Sequence, residues 1–339
     1  MAALRALIAA GAVALICVVP SGAAAGSSAL ESYSFAPLPH HRIVAFAADR
    51  LWIVLAEDPT SSGGCPEVVL VPSGGGQSRT LTASNGPTCS FGGHFWVRSS
   101  ARPIGNAIVK ALWVVRHGSK AIAVKASPTE HEVVLARVTN IKPDTGPYLG
   151  PVVATNWLRL FGDYTKAGDG TITGSVISGN RRTLYEAAGA LLPFGLDDKE
   201  HAVSVGADGS IAMWHAHGAR YGTVPNADAR AAAMVDNGTV LLLRADSARI
   251  DVRNLAGHLE HSWRIAASAL PLIDADTGEA VYFTAKTVHE LDYASGRDKL
   301  VATVPHGATL IDAQIEKTYV AYLYRDAEYP DGHLVVRAR

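Results

Sequence analysis

The sequence predicts an all-β protein built from repeated four-stranded units, and three observations support this fold class. Residues 191–225 read as four short strands joined by three tight turns. The same pattern recurs along the chain at a period of about 40 residues, which is typical of four-stranded propeller units. Finally, Gly-containing turn dipeptides separate the short apolar runs, as in β-hairpins. Together these observations predict a seven-bladed β-propeller of four-stranded antiparallel blades. Six or eight blades are the alternatives, if one of the irregular stretches of the sequence forms one blade fewer or one blade more.

The clearest unit covers residues 191–225. Its strands are predicted at 191–196, 201–206, 210–216 and 220–224. Asp208-Gly209 and His217-Gly218 mark two of the turns, because Gly adopts a positive φ at no steric cost. A four-stranded meander cannot bury both of its faces alone, so it needs copies of itself on either side.

The copies that follow this unit match it well. They are predicted at 230–265, 270–304 and 309–339. The second strand begins near His201 in the clearest unit and near Thr239, Ala280 and Thr318 in these three copies. The preceding copies are less regular and are predicted at 41–83, 95–138 and 151–187, with 95–98 the least regular strand. The repeat therefore extends over most of the chain.

The last copy contains only three strands. An unpaired strand edge invites aggregation, so a closed ring needs a fourth strand from elsewhere. The segment 32–38, SYSFAPL, precedes the first unit and has no other partner in the pattern. We therefore predict that it pairs with 333–339 and closes the ring.

The unit at 206–224, GADGSIAMWHAHGARYGTV, resembles the Trp-Asp repeat of β-propellers. Trp214 matches the Trp of the repeat, and Asp208-Gly209 and Gly218 match its turns, whereas His215 stands where the Asp would be. The segment 291–296, LDYASG, is similar to the corresponding position in exported propellers of the quinoprotein and NHL types. The resemblance implies a fold, and these families include binding scaffolds, lectins and several enzyme classes.

Residues 1–25 have the pattern of a signal peptide. Arg5 precedes an apolar run at 6–19, and Ala23 and Ala25 form an Ala-x-Ala site, so we predict bacterial-type export with cleavage after Ala25. The run is shorter than the roughly 20 residues that span a bilayer. The expected organisation is a leader at 26–31 and a single propeller domain at 32–339, secreted or extracytoplasmic, with no integral membrane segment after signal removal.

Two cysteines remain in the exported chain once Cys17 is lost with the signal peptide. Cys65 and Cys89 form an even pair, and such pairs in exported proteins are usually oxidised. We predict a disulfide between them.

Composition excludes some classes of partner. The formal net charge is −1, and acidic and basic residues are interspersed, whereas nucleic-acid or anionic-membrane binding needs clustered Lys and Arg. We expect a monomer that binds no nucleic acid.

Two segments resemble metal sites, and turns explain both. His215 and His217 share one face of a strand end, but a pair of turn-flanking residues accounts for them without a metal. Asp274, Asp276 and Glu279 lie in DADTGE, which resembles part of a Ca²⁺ loop but also fits an Asx-type turn. No cofactor is predicted, with Ca²⁺ as the alternative.

The predicted binding surface is the face with the long loops, because repeats vary in length where they do not pack against a neighbour. The long loops are predicted at 57–65, 164–170 and 326–332, with a long connection between units at 85–93. They carry an acidic and aromatic set of candidate ligand-binding residues: Glu57, Asp58, Tyr164, Asp326, Glu328, Tyr329 and Asp331. Nucleophilic hydrolysis has no local signature, so no catalytic residue is predicted.

The leading hypothesis is an exported, non-catalytic propeller that binds a protein, peptide or glycan on this face. One alternative is a propeller-type hydrolase, similar to a lactonase or glycosidase, that uses carboxylates at the channel mouth with or without Ca²⁺. A structural envelope protein is the other alternative.

Overall fold

A computed structural model describes residues 32–339 of the chain with internal gaps. The gaps are 49–51, 92–93, 98–110, 118–119, 128–129, 140–151, 155–158, 167–171, 179–182, 189–190, 197–200, 207–208, 216–219, 226, 236–237, 247 and 271–272. The predicted signal peptide and its cleavage site, the leader up to residue 31, and His217 lie outside the described residues.

The described residues form 28 strands and one short helix. The first sheet contains β2 (His41–Ala48), β3 (Trp52–Pro59), β4 (Glu67–Pro72) and β5 (Arg79–Thr80), and helix α1 (Pro87–Phe91) follows it. The second sheet contains β6 (His94–Val97), β7 (Ala111–His117), β8 (Lys120–Ser127) and β9 (Glu130–Thr139). The third contains β10 (Val152–Ala154), β11 (Arg159–Lys166), β12 (Ile172–Ser178) and β13 (Thr183–Ala188).

The following sheets repeat this order. The fourth contains β14 (Leu191–Leu196), β15 (His201–Gly206), β16 (Ile211–His215) and β17 (Arg220–Val224). The fifth contains β18 (Ala229–Val235), β19 (Thr239–Arg244), β20 (Arg249–Arg253) and β21 (Leu259–Arg264). The sixth contains β22 (Ile273–Asp276), β23 (Glu279–Phe283), β24 (Thr287–Asp292) and β25 (Arg297–Thr303).

The seventh sheet joins the two ends of the described chain. It contains β26 (Thr309–Glu316), β27 (Tyr319–Arg325) and β28 (His333–Ala338), and its fourth strand is β1 (Ser32–Phe35). Strand β1 pairs antiparallel with β28, with Ser32 opposite Arg337 and Phe35 opposite Leu334. The prediction that an N-terminal segment supplies the missing outer strand is confirmed, although the strand ends at Phe35 rather than Leu38.

The sheets pack face to face in chain order. Consecutive sheets contact each other mainly through their first strands, as in β2 against β6 and β22 against β26, although the second sheet contacts the third through β7 and β10. Strand β26 of the seventh sheet contacts β2 of the first. The apolar clusters take their residues from two consecutive sheets; one of them combines Ile43 and Phe46 of the first sheet with Leu323 and Leu334 of the seventh. Burial between sheets, rather than one central core, therefore holds the described part of the chain together.

One contact between sheets shows why a turn needs Gly. Gly296 follows β24 with a φ of 75°, and a Cβ atom there would lie 2.3 Å from Cε3 of Trp263 in the neighbouring sheet. The Trp263 indole Nε1–H donates to the Tyr293 carbonyl at 2.8 Å. Only Gly fits both the positive φ and the close approach of the indole ring.

The sequence predicted every described strand to within a few residues, and the differences concern loops. Strand β3 continues to Pro59, and β11 continues to Lys166, so both replace part of a predicted loop. Helix α1 was not predicted. Among the described residues, no helix is long and apolar enough to cross a membrane.

The structure confirms the disulfide between Cys65 and Cys89, whose Cα atoms lie 4.6 Å apart. It joins the loop after β3 to helix α1, and a covalent bond of this kind fits an oxidising compartment. Thiol labelling of denatured, unreduced protein should therefore find no free thiol at either position, and reduction should release two. Substantial labelling before reduction would contradict the disulfide.

Candidate functional site

The loop at 326–332 has a defined conformation. The Asp326 carboxylate accepts hydrogen bonds from the backbone N–H of Glu328 at 2.9 Å and of Tyr329 at 2.7 Å. The Gly332 N–H donates to the Tyr329 carbonyl at 3.2 Å. An Asp side chain that accepts bonds from residues two and three positions ahead fixes a tight turn. The loop therefore presents Glu328 and Tyr329 from a rigid base.

Three aromatic rings meet at the base of this loop. The ring centroids of Tyr329 and His333 lie 4.1 Å apart, and those of Tyr324 and His333 lie 5.3 Å apart. Tyr324 and His333 are directly opposite each other on β27 and β28, which explains their contact. We call Tyr324, Asp326, Glu328, Tyr329 and His333 the rim cluster.

The rim cluster combines neutral rings with acidic groups. Burial, together with nearby Asp326, raises the pKa of Tyr324 to about 12, and burial lowers the pKa of His333 although Asp326 and Glu328 oppose this. A hydrogen bond to Glu328 raises the pKa of Tyr329. At neutral pH the three rings are therefore uncharged, and the carboxylates give the cluster its negative charge.

The seventh and first sheets meet beside the rim cluster. The Ile43 N–H donates to the Asp331 carbonyl at 2.8 Å, and the Arg325 guanidinium donates to the Ile43 carbonyl at 2.6 Å. Arg42 lies 3.9 Å from the Asp58 carboxylate. Asp58 and Asp331 therefore lie in one region, and the cations Arg42 and Arg325 lie beside them.

Glu57 occupies a different position from the one predicted. It lies within β3 rather than in a loop, and it is 1% exposed. Its carboxylate accepts the Leu38 N–H at 2.9 Å. Burial raises the pKa of Glu57 to about 7, although the Leu38 hydrogen bond and His41 oppose this. This side chain holds the segment between β1 and β2 and is not exposed to a ligand.

Tyr164 lies within β11 of the third sheet, not in the loop that follows it. The third sheet packs between the second and fourth sheets, so Tyr164 is separated from the loop at 326–332 by two sheets in one direction. The structure brings Asp326, Glu328, Tyr329, Asp331 and Asp58 to one region and leaves Tyr164 outside it.

Tyr324 and His333 are not among the residues predicted from the sequence. Both flank the long loop, at the end of β27 and the start of β28, and such flanking positions are oriented by the strand rather than by the loop. The available signal was the pair of aromatic residues immediately outside the insertion. Only the cross-strand register, which the sequence does not give, places their rings together.

The acidic segment DADTGE forms a turn. Asp276 accepts the Thr277 N–H at 2.7 Å, Asp274 accepts the Ile315 N–H at 2.9 Å, and Glu279 pairs with Arg339. Each carboxylate thus has a protein partner, which supports the turn interpretation. Among the residues that the structure describes, no three His, Cys, Asp or Glu side chains are grouped to hold a metal ion.

A Thr–His–Asp hydrogen-bond chain crosses the sixth sheet. His289 lies 2.9 Å from the Thr287 hydroxyl through Nε2 and 3.2 Å from Asp298 through Nδ1. Asp298 also accepts the Tyr282 hydroxyl at 2.5 Å, and the Tyr282 ring stacks on His289 at 4.9 Å. Because these bonds link three adjacent strands, we interpret the chain as a structural cross-link of the sheet.

Comparisons with solved structures show the fold. The chain is similar to YCF48 bound to D1 peptide, with 11% identity and a TM-score of 0.57 over 92% of this chain and 99% of that one. It is also similar to Hsv2 from Kluyvelomyces marxianus, with 9% identity and a TM-score of 0.52 over 86% and 90% of the two chains. No family model and no curated protein sequence matches the chain.

A third similar structure is a puromycin hydrolase mutant complexed with PGG, with 13% identity and a TM-score of 0.60. The similarity covers 84% of this chain and 50% of the hydrolase, so the chain spans about half the length of that protein. At these identities the similarity shows the fold alone. The prediction of a β-propeller fold is thereby confirmed.

Proposed function

We propose that this chain is an exported, non-catalytic, seven-bladed β-propeller, a single domain at 32–339, that binds a protein or peptide at the rim cluster. The observation that carries the proposal is the combination of a rigid acidic loop with Tyr324, Tyr329 and His333. Aromatic rings supply large contact area at low entropic cost, and this is where binding energy concentrates in interfaces. The seven described sheets support the blade count.

The chemistry of the rim cluster favours a cationic segment of the ligand. A Lys or Arg side chain over the Tyr329 ring gains a cation–π interaction of about 0.5–1 kcal/mol at an exposed site. The same side chain reaches the carboxylates of Asp326 and Glu328, which adds charge-assisted hydrogen bonds. We therefore propose a peptide segment with basic side chains rather than a neutral glycan.

The similarity to YCF48 supports the class of ligand. That structure contains a bound peptide, and its chain matches this one over nearly the whole length of both. A ring of similar size can therefore bind a peptide. The residues that bind the ligand are specific to each propeller, because function depends on the site and not on the fold.

Selection from a random displayed peptide library tests this function. We expect the selected peptides to be enriched in Lys and Arg. Tyr329→Ala should weaken their binding about tenfold in Kd, because an interface anchor of this kind contributes about 1.4 kcal/mol or more. Glu328→Gln should weaken it less, and high salt should reduce that difference. Calorimetric titration gives each Kd.

Matched controls come from other sheets. Tyr221→Ala removes an exposed Tyr from β17, and Glu260→Gln neutralises an exposed acid on β21; neither should change Kd. Peptides that bind all four variants equally, or a library that yields no peptide above background, would count against the rim cluster as the binding site.

A further inference from the structure

Two imidazoles and a phenol ring converge on the fourth sheet, away from the loop at 326–332. His201 lies on β15, His215 on β16 and Tyr221 on β17, so three adjacent strands contribute one ring each. The ring centroids are 6.1 Å apart for the two His residues, and Tyr221 lies 5.4 Å from His201 and 6.2 Å from His215. Tyr221 is 41% exposed, so the group is open to solvent.

The register of the sheet explains why these rings meet. His201 and His215 are directly opposite each other on antiparallel strands, which places their Cβ atoms about 5 Å apart on one face. The pairing of β16 with β17 shifts between Met213 and Trp214, opposite Gly222 and Arg220, and Tyr221 is the extra residue in this bulge. A β-bulge re-aims the side chain it carries, and here Tyr221 comes to lie over both imidazoles.

We propose that His201 and His215 bind a divalent transition-metal ion such as Zn²⁺ or Cu²⁺ at the surface of the fourth sheet. Zinc–imidazole bonds are about 2.0–2.1 Å long, which puts each ring centroid about 3 Å from the metal. Tetrahedral coordination then separates the two centroids by about 5 Å. The observed 6.1 Å is within about 1 Å of this value, a change that small χ rotations of the two side chains supply.

The ligand type selects the class of metal. Imidazole nitrogen suits Zn²⁺, Cu²⁺ and Ni²⁺, whereas Ca²⁺ and Mg²⁺ prefer oxygen ligands. With two ligands from the part of the chain that the structure describes, the remaining coordination positions would be filled by water or by an external group, so we propose an open rather than a structural site. The site does not depend on the peptide-binding function proposed above.

The alternative is that the three rings only pack together, since edge-to-face contacts between aromatic rings at 5–6 Å are favourable in themselves. The two interpretations differ in what a metal ion does. Packing alone predicts no change when Zn²⁺ is added, whereas a metal site predicts that the folded protein is stabilised by mass action.

Calorimetric titration of the full mature protein, without an affinity tag, with ZnCl₂ and with CuCl₂ tests the site. We expect one equivalent to bind and Tm to rise by roughly 5 °C when free Zn²⁺ exceeds Kd about 100-fold. His215→Gln and His201→Gln should each weaken binding at least tenfold, because a single imidazole does not chelate. The Cu²⁺ complex should show two nitrogen ligands by electron paramagnetic resonance, and His215→Gln should remove one of them.

Control variants separate this site from other histidines and from loss of fold. His306→Gln changes an exposed His in the turn before β26 and should leave binding unchanged. Tyr221→Phe keeps the ring and removes the hydroxyl, so it should preserve the bound equivalent. Ca²⁺ in place of Zn²⁺ should not bind. Absence of a bound equivalent in the wild-type protein, or equal binding by His215→Gln with an unchanged melting profile, would overturn the proposal.

Discussion

A chain that begins at Pro39 is expected to be much less stable than one that begins at Gly26, and to aggregate on heating. The shorter chain lacks β1, which pairs with β28 over four residues. It also lacks Tyr33, Phe35 and Leu38, which pack against the apolar cluster between the seventh and first sheets. Because each sheet of the ring supports the next, the loss should spread beyond the seventh sheet.

The size of the effect follows from the burial of these side chains. Full burial of such a side chain contributes about 1.5–3 kcal/mol, and half-buried ones contribute about half of this. Three of them therefore contribute roughly 3–4 kcal/mol, a large share of the 5–15 kcal/mol that typically stabilises a protein. The newly exposed edge of β28 adds a template for association with other chains.

Thermal denaturation and size-exclusion chromatography of the two chains measure this effect. Phe35→Ala should lower Tm by less than the start at Pro39 does, because it removes apolar contact but keeps the strand. Ser34→Ala, on the exposed face of the same strand, should leave Tm unchanged. Equal Tm values for the chains that begin at Pro39 and at Gly26 would show that β1 contributes nothing to the ring.

The strands could be predicted from the sequence because the turns between them contain Gly at positions whose positive φ other residues rarely adopt. Gly238, for example, follows Asp-Asn in the sequence and has a φ of 76° before β19, and this conformation admits few other residues. Such a turn fixes the ends of both strands and therefore their register. The period of the repeat then supplied the order of the sheets.

The site could be predicted only in part. Strand β3 runs through Glu57 and Asp58, whose polar character is typical of a loop, so the sequence predicts a surface position for the Glu57 side chain, which is buried. The Leu38 N–H, which stabilises that carboxyl group inside the protein, comes from a segment 19 residues earlier. Such long-range contacts have no local signature, and the same is true of His201 and His215, which only the sheet register brings together.

Glu57 is expected to make folding stability fall as the pH rises from about 4.5 to about 7. In the unfolded chain a Glu carboxyl ionises near pH 4.5, whereas burial keeps Glu57 protonated in the folded protein until about pH 7. Below pH 4.5 the carboxyl is protonated in both states, so its full contribution is present. As the pH rises toward 7, only the unfolded state gains from ionisation, and this contribution is lost.

The magnitude follows from the pKa difference. A difference of about 2.5 units corresponds to roughly 3 kcal/mol between the two ends of the range, since each unit is worth about 1.4 kcal/mol. Ionisation of His41 also makes stability fall as the pH rises, because the pKa of His41 is raised in the folded protein. Burial alone would lower this pKa, but the carbonyls of Pro39 and Cys65, together with nearby Glu67 and Glu57, raise it by more. Comparison of variants at each pH is therefore needed to isolate Glu57.

Glu57→Gln isolates this carboxyl group, because Gln has the same shape, can still accept the Leu38 N–H and does not ionise. At pH 4.5 we expect the variant to equal the wild type in the free energy of unfolding, and at pH 8 to exceed it by up to about 3 kcal/mol. Glu260→Gln, at an exposed position on β21 of the fifth sheet, is the control and should track the wild type closely. Denaturant unfolding at half-unit steps from pH 4.5 to 8 measures the difference. Parallel curves for Glu57→Gln and the wild type would contradict a buried, protonated Glu57, whereas curves that converge at low pH and separate at high pH would show that this carboxyl group is protonated in the folded protein.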